Sequence, residues 1–280
     1  MMKIIAHIHT DFTTKFGIPR QSGLVESLKG KIIFEPPYRN IEALRGLDGF
    51  SHIWLIWEFS ETKHDGWSPL VRPPRLGGNK KLGVFATRSP FRPNPIGLSS
   101  VRLERIEWQT LQGPVLHVLG ADLMNGTPIF DIKPYITYAD SHPAAVSGFT
   151  EPIEEHKLQV VLPEALLPDI PQALHTPLEE ILANDPRPSY QDDPERVYGI
   201  TYAGMNIRFM VRTKTDCNRS NPIMRHLIGI WLMNLILRAV VAHTAQVSAD
   251  SIALYFSETK EATLKHVGLW DKDLYGPILL

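Results

Sequence analysis

Cysteine is almost missing from this chain: of 280 residues only Cys217 is one. No disulfide can form within the chain and no cysteine zinc site can be assembled, a pattern that suits a reducing compartment. An excess of charge of one sign is missing too, since 29 Lys and Arg face 30 Asp and Glu for a formal net charge of −1. A histone-like polycation is excluded. Long apolar runs are equally scarce. The longest, residues 228 to 237, is about half of the ~20 residues a membrane helix needs, and it contains Asn234 between Arg225 and Arg238. No membrane span is expected. The first segment turns polar after Ile8 and carries His7 and His9, so it lacks the apolar stretch of a secretory signal and reads as a strand. The expected location is the cytoplasm.

What is present is ordinary globular composition, 43% hydrophobic and 21% charged, enough for one large or two modest domains. The 23 prolines and 19 glycines crowd before residue 153 as punctuation between short apolar runs, which favours strands and turns over helices. From Lys3 to Tyr138 the period is mostly two, in IIAHIH, KIIF, FSHIWLIWEF, LGVFAT, SSVRLERIEW, VLHVLGADLM and PIFDIKPYI. The pattern predicts an antiparallel sheet closing as a barrel over residues 1–155. Residues 115 to 124 and 128 to 136 are expected to form a hairpin, because Asn125-Gly126 suits a type I′ turn. Residues 156–214 read as a small α+β unit. Ala173, Leu174, Leu178, Ile181 and Leu182 recur at helical spacing, with Thr176-Pro177 as the candidate helix start and Asp185-Pro186 as the stop, and a hairpin follows in VYGITYAG and MNIRFMV. The tail, 215–280, is expected to be helical, with Met224, Leu227, Ile228, Trp231 and Leu235 on one face. No functional role is legible in it.

One region is strongly basic. Between residues 72 and 105 stand Arg72, Arg75, Lys80, Lys81, Arg88, Arg92, Arg102 and Arg105 against the single acid Glu104. A neutral protein with a local basic band is suited to a polyanion on one face, although a solvated surface has the same composition. Within the band Pro90, Pro93 and Pro95 stiffen the loop that presents Arg88, Arg92 and Asn94. A stiff loop carrying donors is a candidate binding site.

This loop lies in VFATRSPFRPNPIGLSS, which together with FGIPRQSGL upstream and DLMNGTPIFDIKPYITYADS downstream closely resembles the TsaA-like (TrmO) family of tRNA methyltransferases. The resemblance also takes in RGLDGFSHIWLIWEF and GWSPLVRPPRLGGN. ILANDPRPSYQ and YGITYAGMNIRF are similar to the family's small C-terminal domain, and the resemblance covers roughly residues 1 to 213. It implies a TsaA-like β-barrel methyltransferase fold that uses S-adenosyl-L-methionine and acts as a homodimer. The implied substrate is threonylcarbamoyladenosine immediately 3′ of the anticodon of tRNA for threonine, methylated on its exocyclic nitrogen. The implied cofactor contacts are Pro19, Arg20, Gln21, Ser60, Glu61, Arg88, Leu98, Asp122, Leu123, Met124 and Asn125. Some family members have His-Gln in place of Ser60-Glu61, and Asp is common at the position of Asn125.

Arg20 or Arg88 can grip the cofactor's carboxylate through a two-pronged hydrogen bond, and Gln21 or Asn125 can read the adenine edge. Holding nitrogen and methyl in near-attack geometry supplies much of such a reaction. The acceptor nitrogen is a poor nucleophile until its proton leaves, so a general base helps. Asp122, Asp131, Tyr138 and Asp140 are the candidates, with Asp131 preferred and Tyr138 second. Arg92, Asn94, Lys133, Tyr135 and Arg187 are the expected contacts to the anticodon arm, Arg187 coming from the C-terminal domain. His7, His9 and His52 invite a metal reading, but their isoleucine and tryptophan neighbours read as strand packing, and no metal is expected. Two competing functions share the same features: a non-catalytic RNA-binding barrel, and a methyltransferase acting on another substrate.

Overall fold

The computed structural model describes residues 2–62, 66–76, 78–150, 157–187, 193, 195–211 and 227–231. Its first part is built from β1 (Ala6–Thr10), β2 (Lys29–Phe34), β3 (His52–Glu58), the short β4 (Leu70–Val71) and β5 (Leu82–Gly83), β6 (Ile96–Glu107), β7 (Val115–Leu119) and β8 (Thr127–Pro134). Six of these close a barrel in the order β1-β2-β7-β6-β3-β8, every pair antiparallel. Closure leaves no strand edge unpaired. The period-two pattern explains the interior. Alternate residues Ala6 and Ile8, Ile32 and Phe34, Ile53, Leu55 and Trp57, Val101 and Leu103, and Leu116 and Val118 point inward and form one buried core with Ile129.

The expected hairpin at Asn125-Gly126 is not there. Strand β7 pairs with β2 and β6, whereas β8 pairs with β1 and β3, so the two strands stand on opposite sides of the barrel. Only Gly126 of the dipeptide has a positive φ, 81°, so a type I′ turn is not formed. Residues 120 to 126 instead cross the barrel mouth. Gly120 and Gly126 donate their backbone N–H groups to the carbonyls of Leu28 and Ile8, while Ala121 and Leu123 are buried. The crossing wins because it stoppers the barrel with apolar side chains, which a tight turn would leave in solvent. LGVFAT is likewise not one strand, since after β5 the chain turns into a 3-10 helix at Val84–Ala86.

After the short α1 (Thr137–Asp140) come β9 (Gln159–Val161), α2 (His175–Ala183), β10 (Tyr198–Tyr202), β11 (Met205–Val211) and β12 (Leu227–Trp231). Helix α2 buries Leu178, Ile181 and Leu182, as its spacing predicts. Strands β10 and β11 make the expected hairpin, turning at Ala203 and Gly204 with φ of 49° and 75°. The sheet order is β10-β11-β12-β9. Strand β12 corrects the helical expectation for residues 224 to 235 over Leu227–Trp231; the rest of that stretch lies outside the described residues. A short apolar run does not declare its own period. Here it pairs antiparallel with β11 and parallel with β9, which meets its backbone hydrogen-bonding groups on both sides.

A second core gathers these elements. Ile170, Leu178, Tyr198, Ile200, Tyr202, Ile207 and Phe209 pack with Phe12, Val25 and Leu28, which belong to the β1–β2 connection. The ring centroids of Phe12 and Tyr202 are 5.1 Å apart. The long loop between the first two barrel strands is thus rooted in the second core. Among the described residues no helix is long and apolar enough to cross a membrane.

Candidate active site

In a closed antiparallel barrel the connections alternate between the two ends, so β1–β2, β3–β6 and β7–β8 all fall at the same mouth. These three connections hold the motifs that lie far apart in sequence. They enclose a cavity of about 510 Å³. Pro19, Arg20 and Gln21 come from the first connection, Ser60, Glu61, Arg88 and Arg92 from the second, and Asp122, Leu123 and Met124 from the third, with Leu98 at the start of β6. Ten of the eleven implied cofactor positions therefore line one space. Asn125 is the exception: its side-chain oxygen accepts the Thr10 N–H at 3.2 Å and its own N–H donates to the Phe12 carbonyl. It ties the crossing segment to β1.

The polar groups at the mouth are already networked. Arg88 donates to the Gln21 side-chain oxygen, and Gln21 donates to the Arg20 carbonyl. Arg92 donates to the carbonyls of Val84 and Thr87 at 3.1 and 2.7 Å and lies 5.6 Å from the Phe85 ring, so it braces the proline-rich loop from within. Asn94 is exposed on that loop.

Deeper in, Ser99 is 1% exposed and donates to Asp122 Oδ1 at 2.6 Å, while the Trp57 indole N–H donates to Ser99 Oγ at 3.0 Å. Burial pushes the Asp122 carboxyl above its ordinary value, against the pull of the Ser99 hydroxyl, nearby backbone N–H groups and the Arg88 charge. Trp57 is seated between Phe59, 4.3 Å away between ring centroids, and the bare backbone of Gly97. A methyl group added at Gly97 would come within 2.2 Å of the indole. Ser99 and Gly97 were missed by the sequence reading as individual residues. A strand serine and a strand glycine carry no signal until their partners are known.

Other expected residues stand elsewhere. Asp131 is paired with Lys133 at 3.0 Å and accepts the Ile132 N–H, outside the cavity lining. Tyr138 is 91% exposed on α1. Tyr135 packs against Trp54, with ring centroids 5.6 Å apart, toward the opposite end of β3 and β8 from the mouth. Asp140 accepts from the Trp54 indole and the Ile136 N–H, which hold its carboxyl below the usual range. None of these lines the cavity; of the four base candidates only Asp122 does.

Arg187 was expected to face tRNA. Its side chain is only 11% exposed and makes a forked ion pair with Asp185 at 2.8 and 2.9 Å. The basic band is also divided in space. Arg88 and Arg92 are at the mouth, whereas Arg105 lies nine residues past Ile96 along β6, roughly 30 Å at the usual strand rise, where it pairs with Glu104 and Glu107. Sequence proximity overstated its unity. His7 pairs with Glu35 at 2.8 Å and His52 contacts Ser51. Among the described residues no group of three His, Cys, Asp or Glu is arranged to hold a metal ion.

The chain matches the family model of the tRNA-methyltransferase O N-terminal domain over residues 7–141 and that of the TrmO C-terminal domain over residues 156–218. It is 39% identical over 216 residues to the tRNA (adenine(37)-N6)-methyltransferase of Escherichia coli K12, spanning 74% of this chain and 91% of that relative. The chain belongs to the TrmO family. A second TrmO-family relative, the tRNA (adenine(37)-N6)-methyltransferase of Eikenella corrodens, is 47% identical over 163 residues, 58% of this chain and 91% of the relative. A crystal structure of TrmO from Pseudomonas aeruginosa superposes with a TM-score of 0.60 at 31% identity, covering 82% of this chain and 97% of that one.

Proposed function

We propose that this chain is an S-adenosylmethionine-dependent tRNA (adenine-N6)-methyltransferase acting on threonylcarbamoyladenosine immediately 3′ of the anticodon of tRNA for threonine. It works in the cytoplasm as a homodimer. Residues 1–155 carry the chemistry, and residues 156–214 support the site and tRNA binding; the tail 215–280 has no assigned role. The observation that carries the reading is the convergence of motifs around residues 20, 60, 88, 98 and 122 on one cavity.

The cavity suits the cofactor by volume, since small-molecule sites run from about 300 to 1,000 Å³, and by its donors. Arg20 and Arg88 offer guanidinium groups to a carboxylate, Gln21 an amide to the adenine edge, and Leu98 and Leu123 an apolar wall. When bound, S-adenosylmethionine supplies an electrophilic methyl group. Asp122 accepts the proton of the exocyclic nitrogen on its carboxylate. Its raised pKa makes it a better acceptor than an exposed aspartate. Ser99 holds Oδ1 and so aims the other oxygen, while Trp57 and Leu123 keep water from the same floor. Asn94, exposed on the proline-rich loop that Arg92 braces, is the contact offered to the anticodon arm beside the mouth.

Calorimetric titration of S-adenosylmethionine into the purified protein tests the reading first, followed by methyl transfer to tRNA with and without the threonylcarbamoyl group. One-to-one binding per chain and transfer only to the modified tRNA are expected. Binding of tRNA without any response to the cofactor would mean a non-catalytic RNA-binding barrel. Transfer to unmodified tRNA would remove the substrate assignment.

A further inference from the structure

Among the described residues, Arg20 is the cavity arginine whose guanidinium reaches the segment that follows α2. Its Nη2 donates to the Arg187 carbonyl at 2.9 Å across 167 positions of sequence. That carbonyl is not on a free loop. Asp185 adopts a left-handed φ of 46°, unusual for a residue with a side chain. Its carboxylate accepts from the Arg187 backbone N–H at 3.2 Å and from Arg187 Nε and Nη2 at 2.8 and 2.9 Å. The two residues lock each other into a turn just beyond the C-terminus of α2, and the turn aims one carbonyl at Arg20.

The β1–β2 loop that carries Arg20 has further links to the C-terminal unit, three of them outside the packing of Phe12, Val25 and Leu28 already described. Ser27 Oγ donates to Glu180 at 2.6 Å, Asn184 Nδ2 donates to the Leu24 carbonyl at 3.1 Å, and Gly17 lies so close to Ile200 that an added Cβ would sit 2.9 Å from its Cγ2. Three of these four links lead to α2 or the turn that follows it. A guanidinium on a flexible stem must be ordered before it can bind a carboxylate, and each ordering contact made in advance lowers that cost.

We propose that the Asp185–Arg187 turn is a positioning element for the cofactor cavity: it pre-orders Arg20 and the loop of residues 17 to 24. This rests on reading the cavity as the S-adenosylmethionine site. Arg187 then serves the cofactor side through its backbone rather than tRNA through its charge. The small sheet and α2 are part of the cofactor site's support, and the second core couples their integrity to cofactor affinity.

The test is Asp185→Asn, which keeps the shape and the tolerance for a left-handed φ but removes the charge that holds Arg187. It is compared with Arg20→Ala and with the double variant in the full chain. The expected result is a three- to ten-fold weaker calorimetric Kd for S-adenosylmethionine, about one hydrogen bond's worth. Faster amide hydrogen exchange in residues 17 to 24 is expected with it, without change in the barrel strands. In the Arg20→Ala background Asp185→Asn should weaken binding by less than about two-fold, because its effect runs through Arg20. Unchanged affinity and exchange in Asp185→Asn overturn the proposal, as does the same loss in both backgrounds. Should Asp185→Asn not fold, Arg187→Lys, which loses the fork but keeps a cation, is read by the same criteria. The exchange measurement needs no cofactor, so a wild-type protein that fails to bind S-adenosylmethionine refutes the cofactor reading and leaves the loop-ordering result to stand or fall separately.

Discussion

Ser99→Ala removes one oxygen and breaks two bonds, and the pH dependence of the damage identifies the charge it serves. In the wild type the hydroxyl proton goes to Asp122 Oδ1, because the Trp57 N–H occupies the acceptor side of the same oxygen. The 2.6 Å separation is that of a short O–H···O hydrogen bond, and it strengthens when the carboxylate is ionised. Losing a bond to a charged acceptor costs about 1.5–3 kcal/mol, and leaving a buried indole N–H without a partner about 1–3 kcal/mol. The two overlap, so a total near 3 kcal/mol is expected at pH 8. Burial has already raised the Asp122 pKa, so in the wild type this group's stabilising preference for its neutral form is full in acid and is lost as pH rises through the folded-state value. Deleting Ser99 takes away a donor to the charged form and raises that value further.

The stability gap between wild type and Ser99→Ala should therefore widen from about pH 4 to pH 8. It should shrink to the indole's share, about 1 kcal/mol, where Asp122 is protonated in both. Urea denaturation at the two pH values measures the gap, and titrations common to both proteins cancel in the difference. In an Asp122→Asn background the gap should be small and flat. A penalty that is the same at both pH values with Asp122 intact would refute the charge-assisted bond and with it the raised, oriented carboxylate.

Gly97→Ala drives a methyl into the Trp57 ring, which Phe59 and Ser99 hold from its other sides, so it should cost about 1–3 kcal/mol or more in urea denaturation; adding Trp57→Phe should return part of the loss. Asp131→Asn should transfer methyl at the normal single-turnover rate, because Asp131 is engaged with Lys133 outside the cavity, whereas Asp122→Asn should slow the same step at least 100-fold, about the lower end of general-base contributions. Asp140→Asn should lower stability at neutral pH, since the Ile136 N–H and the Trp54 indole favour the ionised form. That deficit should fade as pH falls below the ordinary carboxylate range, where wild-type Asp140 is protonated too, and chemical denaturation across the acid limb reads it.

The alternation of apolar residues was enough to foresee a β-barrel, because a strand with one buried face must repeat every second residue and the six barrel strands between Ala6 and Pro134 do so. The cavity lining was foreseen through the family resemblance instead: ten of the eleven positions that the resemblance implies meet at one mouth. Helix α2 was legible because Leu178, Ile181 and Leu182 share a face ahead of the Asp185-Pro186 stop.

Tertiary structure decided the rest, wherever a local signal had two outlets. Asn125-Gly126 favours a tight turn by itself, but the barrel order carries the chain across its mouth, and that crossing is what brings Asp122 to Ser99. The run Leu227–Trp231 is apolar enough for either element, and the open side of β11 made it a strand. Arg187 reads as a surface cation until its partner Asp185 is seen two residues away, folded back by a left-handed turn. Period, capping and motif are properties of neighbours along the chain, so sequence alone determined those features. Which donor meets which acceptor across 23 or 167 residues depends on strand order and on how two cores share one loop, and only the folded chain sets that.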